Sequence, residues 1–250
     1  MADLIQDLPE APFQKSKAIQ EEYARALRGV SRQVGNLIKG YNPTDPLSAE
    51  RLRKALRAYS ELIGPWAETI SKRILVAVNN QDYNAWRQHS REMSLKMRQE
   101  ILSSNVGETF QRLMRENVEL IKSIPLKAAE RVHELVTENL MQSARADEIS
   151  QKIMESEKVS KVVATRIART EIARASSTLL QSRALSIGST GYIWKTSKDL
   201  LVRKSHKIME GKFIKWNDPP KLSDGTITHA GQIYNCRCWP DVQIPEGNYS

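Results

Sequence analysis

Two of the four histidines and both cysteines of this 250-residue chain fall within its last quarter, beside a run of Asp, Arg and Lys. His206 closes KTSKDLLVRKSH, and His229, Cys236 and Cys238 lie in HAGQIYNCRC. Three chemistries compete for these residues. Two imidazoles and two thiolates, His206, His229, Cys236 and Cys238, make an acceptable tetrahedral zinc set. Their spacing counts against it, because zinc sites usually place two residues between paired cysteines so that a tight turn brings both thiolates together. With one residue between, a strand keeps the sulfurs parallel on α-carbons about 6.5 Å apart, and they converge only where the strand bends. The same geometry disfavours a Cys236–Cys238 disulfide. A deaminase-type zinc centre would need His-x-Glu and Cys-x-x-Cys, and the chain has neither.

Catalysis is the second chemistry. Lys195, Asp199, Arg203 and His206 sit within a dozen residues, a set that suits a metal-assisted nuclease or phosphotransfer site with His206 as general base and cations for phosphate charge. No Gly-rich phosphate loop, Gly-x-Ser-x-Gly or His-Glu-x-x-His accompanies them. The third reading is structural. His206 then bonds backbone or Asp199, the cysteines act as small buried apolar groups, and Gly211 and Gly231 serve turns. Pro219-Pro220 stiffens an extended loop, and Trp194, Trp216 and Trp239 supply core area. This last reading accounts for every residue type and is the expected one: no catalytic residue and no cofactor, with zinc as the alternative.

The elements that must position these residues change character along the chain. Residues 12 to about 187 read as helical nearly throughout, and Ile19, Tyr23, Leu27, Val30, Val34 and Leu37 recur three or four apart. Gly40 and YNPTDP stop that helix, Asp45-Pro46 is a cap and first-turn pair for the next, and Gly64-Pro65 breaks it. AWRQHSREMSLKMRQEIL and ETFQRLMRENVELIKSI follow, Pro125 reads as the start of a further helix, and Ser156 is positioned to cap the last one, which ends at Gly188. Beyond Gly188 the apolar stretches shorten to GYIWKT, KFIKW, QIYNCRCW and DVQIP between Gly, Pro, Asp and Asn, the texture of strands and loops. A strand over IYNCRCW would point Tyr234, Cys236 and Cys238 one way and Asn235, Arg237 and Trp239 the other. The expected class is α+β: a helical region over 1–155, a long basic linking helix over 156–188, and a β-containing module over 189–250.

Composition sets the outer bounds. Hydrophobic content of 40% and charged content of 27% are globular values, and no apolar run is long enough to span a bilayer. The start, MADLIQDLPEAPF, is acidic and lacks the pattern of a secretory signal, so a cytosolic chain with reduced cysteines is expected. A net charge of +9 favours a polyanion or an acidic protein surface as partner. Arg166, Arg169 and Arg174 on the last helix are the candidate contacts, with Glu171 in reach of Arg174. No aromatics interleave with them, so any nucleic-acid contact there would be to backbone.

From about residue 165 to 240 the order IARTEIARA, a Gly before the aromatic strand of YIWKTSKDLLVRKSHKIMEGKFIKW, a Pro-rich loop and NCRC resembles the phage head-morphogenesis family typified by Mu F-like minor capsid proteins. The positions carrying the likeness are Trp194, Asp199, Arg203, His206, Gly211, Pro219, Asn235, Cys236, Arg237 and Cys238. The loop before NCRC departs from the family, reading DGTITHAGQIY where a Pro-Gly and an acid are common. The resemblance implies a minor head protein of a tailed double-stranded-DNA phage or prophage, made in the bacterial cytoplasm and acting in procapsid assembly. Implied partners are the portal, other capsid or scaffolding proteins, and packaged DNA; the implied location is the capsid interior or portal region, and some members are thought to leave with the genome. The family is not established as enzymatic, and no fused toxin domain is expected. The alternatives are a phage-encoded metal-assisted nuclease using His206, Asp199 and Arg203, and a non-specific DNA-binding protein.

Overall fold

A computed structural model describes residues 16–42, 45, 47–89, 106–142 and 146–244. Among these, six helices come first: α1 Lys17–Ile38, α2 Ser48–Leu62, α3 Gly64–His89, α4 Val106–Gln142, α5 Ala146–Met154 and α6 Ser156–Ser186. Strand β1 Gly191–Thr196, the short helix α7 Lys204–Lys207, and strands β2 Phe213–Lys215 and β3 Cys238–Gln243 follow. The class is α+β, as the change in periodicity predicts. The described residues divide into two compact units, one comprising 16–20, 74–89, 106–113 and 170–244, the other 21–42, 45, 47–73, 114–142 and 146–169.

The second unit is built by the apolar stripes. Tyr23, Leu27, Val30 and Val34 are buried along α1, with Ile38 rather than Leu37 completing the row. Val34 and Ile38 pack with Leu52 and Leu56 of α2, Ala128, Ala129 and Val132 of α4, and Ile153 of α5. Three details differ from the sequence expectation. Asp45 does not cap α2: its carboxylate accepts the Leu47 N–H at 2.9 Å and pairs with Arg51, forming a turn before a helix that starts at Ser48. Its partner in that expectation, Pro46, lies outside the described residues, as does most of AWRQHSREMSLKMRQEIL. Pro125 does not start a helix but sits inside α4. A proline there removes one backbone donor, and Ile121 and Ile124 before it and Ala128, Ala129 and Val132 after it are buried on both sides, so packing holds the helix through the missing bond. Ser156 does open α6, yet its hydroxyl makes no capping hydrogen bond.

In the first unit, α6 ends as its glycine predicts. Gly188 adopts φ +76°, and Ser189 donates its N–H to Ala184 O at 3.0 Å, closing the wide turn of a Schellman-type ending. Three antiparallel strands then pair in the order β2-β1-β3. β1 is central, and its alternation sends Tyr192, Trp194 and Thr196 into the core. Gly191 lies so close to β2 that a β-carbon there would stand 2.3 Å from Ile214 O. Pro240, which cannot donate to a ladder, sits on edge strand β3. A sheet this small is marginal by itself. Its stability comes from the cluster of Tyr192, Trp194, Ile214, Trp216 and Leu222 against Ala184 of α6 and Ile187 just beyond its end. Trp239 is half-buried on the opposite side of β3 and does not join that cluster.

A buried polar group also ties α3 to α6. Ser176 Oγ donates to Asp82 Oδ1 at 3.0 Å, Arg183 Nη2 bonds Asn79 Oδ1, and Arg183 Nη1 stands 3.7 Å from Asp82 Oδ2. Burial outweighs Arg183 and Ser176 and pushes the Asp82 carboxyl up to about 7.

Candidate functional site

The segment Tyr234–Arg237 is not a strand. Asn235 takes φ +50°, a left-handed conformation that asparagine tolerates, and regular pairing begins at Cys238. The turn breaks the alternation expected over IYNCRCW: Tyr234 is 46% exposed while Cys236 and Cys238 are buried. It also brings the two sulfurs onto one imidazole. His206 Nδ1 lies 3.3 Å from Cys238 Sγ and 3.5 Å from Cys236 Sγ. Both cysteines are unbridged.

Several of the positions that carry the likeness hold that segment in place. Asp199 accepts Arg237 Nε at 2.7 Å and Ser197 Oγ at 3.0 Å, and Ser197 N–H donates to Arg237 O at 2.9 Å. Partial burial opposes ionisation of Asp199, but hydrogen bonds from Arg237, Ser197 and the Leu201 N–H hold its carboxyl below the usual range. Arg203 Nη2 donates to Tyr234 O at 2.8 Å. Trp194 is fully buried, with its ring edge-on to His206 at 5.5 Å and 83°. Gly211 has φ +79° and gives its N–H to Trp194 O at 2.8 Å, fastening the β1–β2 connection. His206 therefore bonds sulfur and not Asp199, and Asp199, Arg203 and His206 each turn to a different partner.

His229 stands apart from the cysteines. Trp216 O accepts its Nε2–H at 3.2 Å, which leaves Nδ1 to accept from Tyr192 Oη at 3.2 Å, and Tyr192 Oη in turn accepts the Ala230 N–H at 3.1 Å. Burial lowers the His229 pKa, against the bond to Trp216, and keeps the neutral ring this chain requires. With both nitrogens engaged, His229 is no partner for a metal at the cysteines. Among the described residues the cluster able to hold one is His206, Cys236 and Cys238, whose ligand atoms lie within 4.8 Å of one another. The hydrogen bond from the Cys238 thiol, helped by His206, pulls the Cys236 thiol down; the same bond and burial push Cys238 up.

Three residues whose role the sequence does not disclose anchor the loop to α6. Thr170 Oγ1 accepts the Asn235 N–H at 3.2 Å, Ser177 Oγ donates to Ala230 O at 2.6 Å, and Gln181 Oε1 accepts Gln232 Nε2 at 2.8 Å. Their spacing of seven and four residues lines one helix face, a signal that was present but indistinguishable from an ordinary polar stripe. Arg174, on the same helix, bonds Glu171 at 2.7 Å as its spacing predicts. Arg166 is exposed and Arg169 half-buried. Arg174, Gln181, Pro219, His229 and Gln232 join Arg112 around a cleft of about 340 Å³.

Residues 130–240 match the family model described as Phage Mu protein F like protein, and the match takes in every tail position named above. An uncharacterized protein of Haemophilus influenzae is 31% identical over 143 residues, which are 57% of this chain and 30% of that protein. The chain thus spans about a third of the length of that relative. No solved structure matches. No helix among the described residues is long and apolar enough to cross a membrane.

Proposed function

We propose, taking that likeness as the premise, that this chain is a minor head protein acting in phage head morphogenesis, docked to the portal and facing the capsid interior, and that its role is structural and not enzymatic. The observation carrying this reading is the coincidence of the family match with the packed tail. Of the positions that carry the likeness, Trp194, His206, Cys236 and Cys238 pack together in the interior and Asp199 pairs with Arg237, while Arg203 and Asn235 fasten the same turn through Tyr234 and Thr170. A unit that spends its reactive side chains on fastening its own loop suits docking better than turnover. Beside that core, Leu200 is 94% and Leu201 72% exposed, adjacent apolar side chains of the kind a protein partner covers. The +9 charge supports a place next to packaged DNA.

Quantitative mass spectrometry of purified procapsids, virions and portal complexes tests the role. The expected result is a defined copy number in heads, lost when Leu200 and Leu201 are both changed to Glu while the purified variant stays folded. Absence of the wild-type protein from heads and portal complexes alike would overturn it. The charge also favours a DNA-binding reading, under which affinity for duplex DNA falls steeply and linearly on a log–log plot against salt.

A further inference from the structure

The cluster of His206, Cys236 and Cys238 has a geometry that core packing does not require. One imidazole nitrogen faces two sulfurs at 3.3 and 3.5 Å, although as donor or acceptor it can satisfy one of them at a time. A tetrahedral zinc with Zn–S about 2.3 Å and Zn–N about 2.0–2.1 Å sets its nitrogen and sulfur ligands about 3.5 Å apart. The observed edges fit that figure. We propose that His206 Nδ1, Cys236 Sγ and Cys238 Sγ bind a zinc-class divalent cation, with His229 outside the set.

The surroundings favour this ligand trio in three ways. The donors are one borderline nitrogen and two soft sulfurs, a set that selects zinc over calcium or magnesium. Two thiolates side by side repel in a buried site, and a divalent cation removes that opposition by holding both deprotonated. The ligands are also preorganised. The Asn235 turn aims the sulfurs, Arg237–Asp199 and Arg203–Tyr234 pin the turn from outside, and the Trp194 ring sets the imidazole. With three protein donors among the described residues, one coordination position is left for water or an added ligand. The ion would cross-link α7 to the start of β3, so binding would add to folding stability.

The test uses the full-length, untagged protein purified under reducing conditions, and does not depend on the proposed role in phage heads. Elemental analysis is expected to find stoichiometric zinc, and exchange into cobalt(II) to give visible bands of a tetrahedral site together with thiolate-to-cobalt charge-transfer bands. Cys236→Ser and Cys238→Ser should each cut the charge-transfer intensity by about half or lose the metal, and His206→Gln should lose the metal. Should these variants fail to fold, the wild-type zinc content and cobalt spectrum decide the matter by themselves. Wild-type protein that takes up neither ion, or a folded cysteine variant that keeps the full wild-type spectrum, overturns the assignment.

Discussion

Replacing Asp82 by Asn should make the protein less sensitive to pH in a direction opposite to that of an ordinary salt bridge. Asp82 and Arg183 are buried with their nearest charged atoms 3.7 Å apart, and neither Asp82 Oδ2 nor Arg183 Nη1 has a hydrogen-bond partner. At that separation without a shared hydrogen the attraction does not repay the desolvation, so the carboxyl rises from 3.8 to about 7. Between these values the folded state holds a proton that the unfolded chain has released. The resulting stability is complete below the unfolded value and is lost as pH climbs through the folded one. The difference is worth about 4 kcal/mol in total, of which about 2.5–3 kcal/mol falls between about pH 5 and pH 8. His229 titrates in the same window with the opposite sign: its folded value lies below its unfolded one, so its contribution grows as pH rises. Because both proteins carry His229, it cancels in the difference. The substituted amide keeps an acceptor for the Ser176 hydroxyl and carries no charge to desolvate. Urea unfolding of both proteins across that pH range, followed by tryptophan fluorescence, should show near-equal stability at the acid end and an advantage for Asp82→Asn at the alkaline end. Parallel curves, or a wild type that gains on the variant as pH rises, would refute the claim that burial outweighs Arg183.

Three further substitutions probe the tail. Tyr192→Phe removes the hydroxyl that accepts the Ala230 N–H and donates to His229; it should cost about 1–3 kcal/mol in urea titrations, because a buried donor loses its partner. Gly191→Ala drives a β-carbon into the Ile214 carbonyl and should destabilise by about 1–3 kcal/mol or more, with loss of the β1–β2 amide protection seen in hydrogen exchange. Asn235→Ala should cost about 1–2 kcal/mol while Asn235→Gly is nearly neutral, since the requirement is the left-handed backbone and not the side chain; equal thermal shifts for the two would show otherwise.

What the sequence reveals and what it hides follow from the range of the forces involved. The stripe Tyr23, Leu27, Val30, Val34 is legible because helix periodicity is local and the burial face repeats every few residues. GYIWKT is legible as a strand for the same reason, with Tyr192 and Trp194 alternating inward. Pro125 misleads because its local cost is outweighed by apolar contacts on either side, and those come from residues distant in the chain. IYNCRCW misleads more deeply. Its alternation and β-forming residues favour a strand, yet Thr170 and Arg203, more than thirty residues away, hold Asn235 and Tyr234 in a turn. The spacing of Asp199, Arg203 and His206 can be mistaken for a single reactive face for a related reason. Composition names which side chains can do chemistry, but only the partner segment decides what they do. Here that segment lies at 234–238, so three residues that could have shared a substrate instead share a loop. The same loop turns Cys236 and Cys238 toward His206, and the parallel-bond objection to a metal holds for a strand and lapses for a turn. The rule about cysteine spacing was sound; its premise, an extended backbone, was what long-range packing removed.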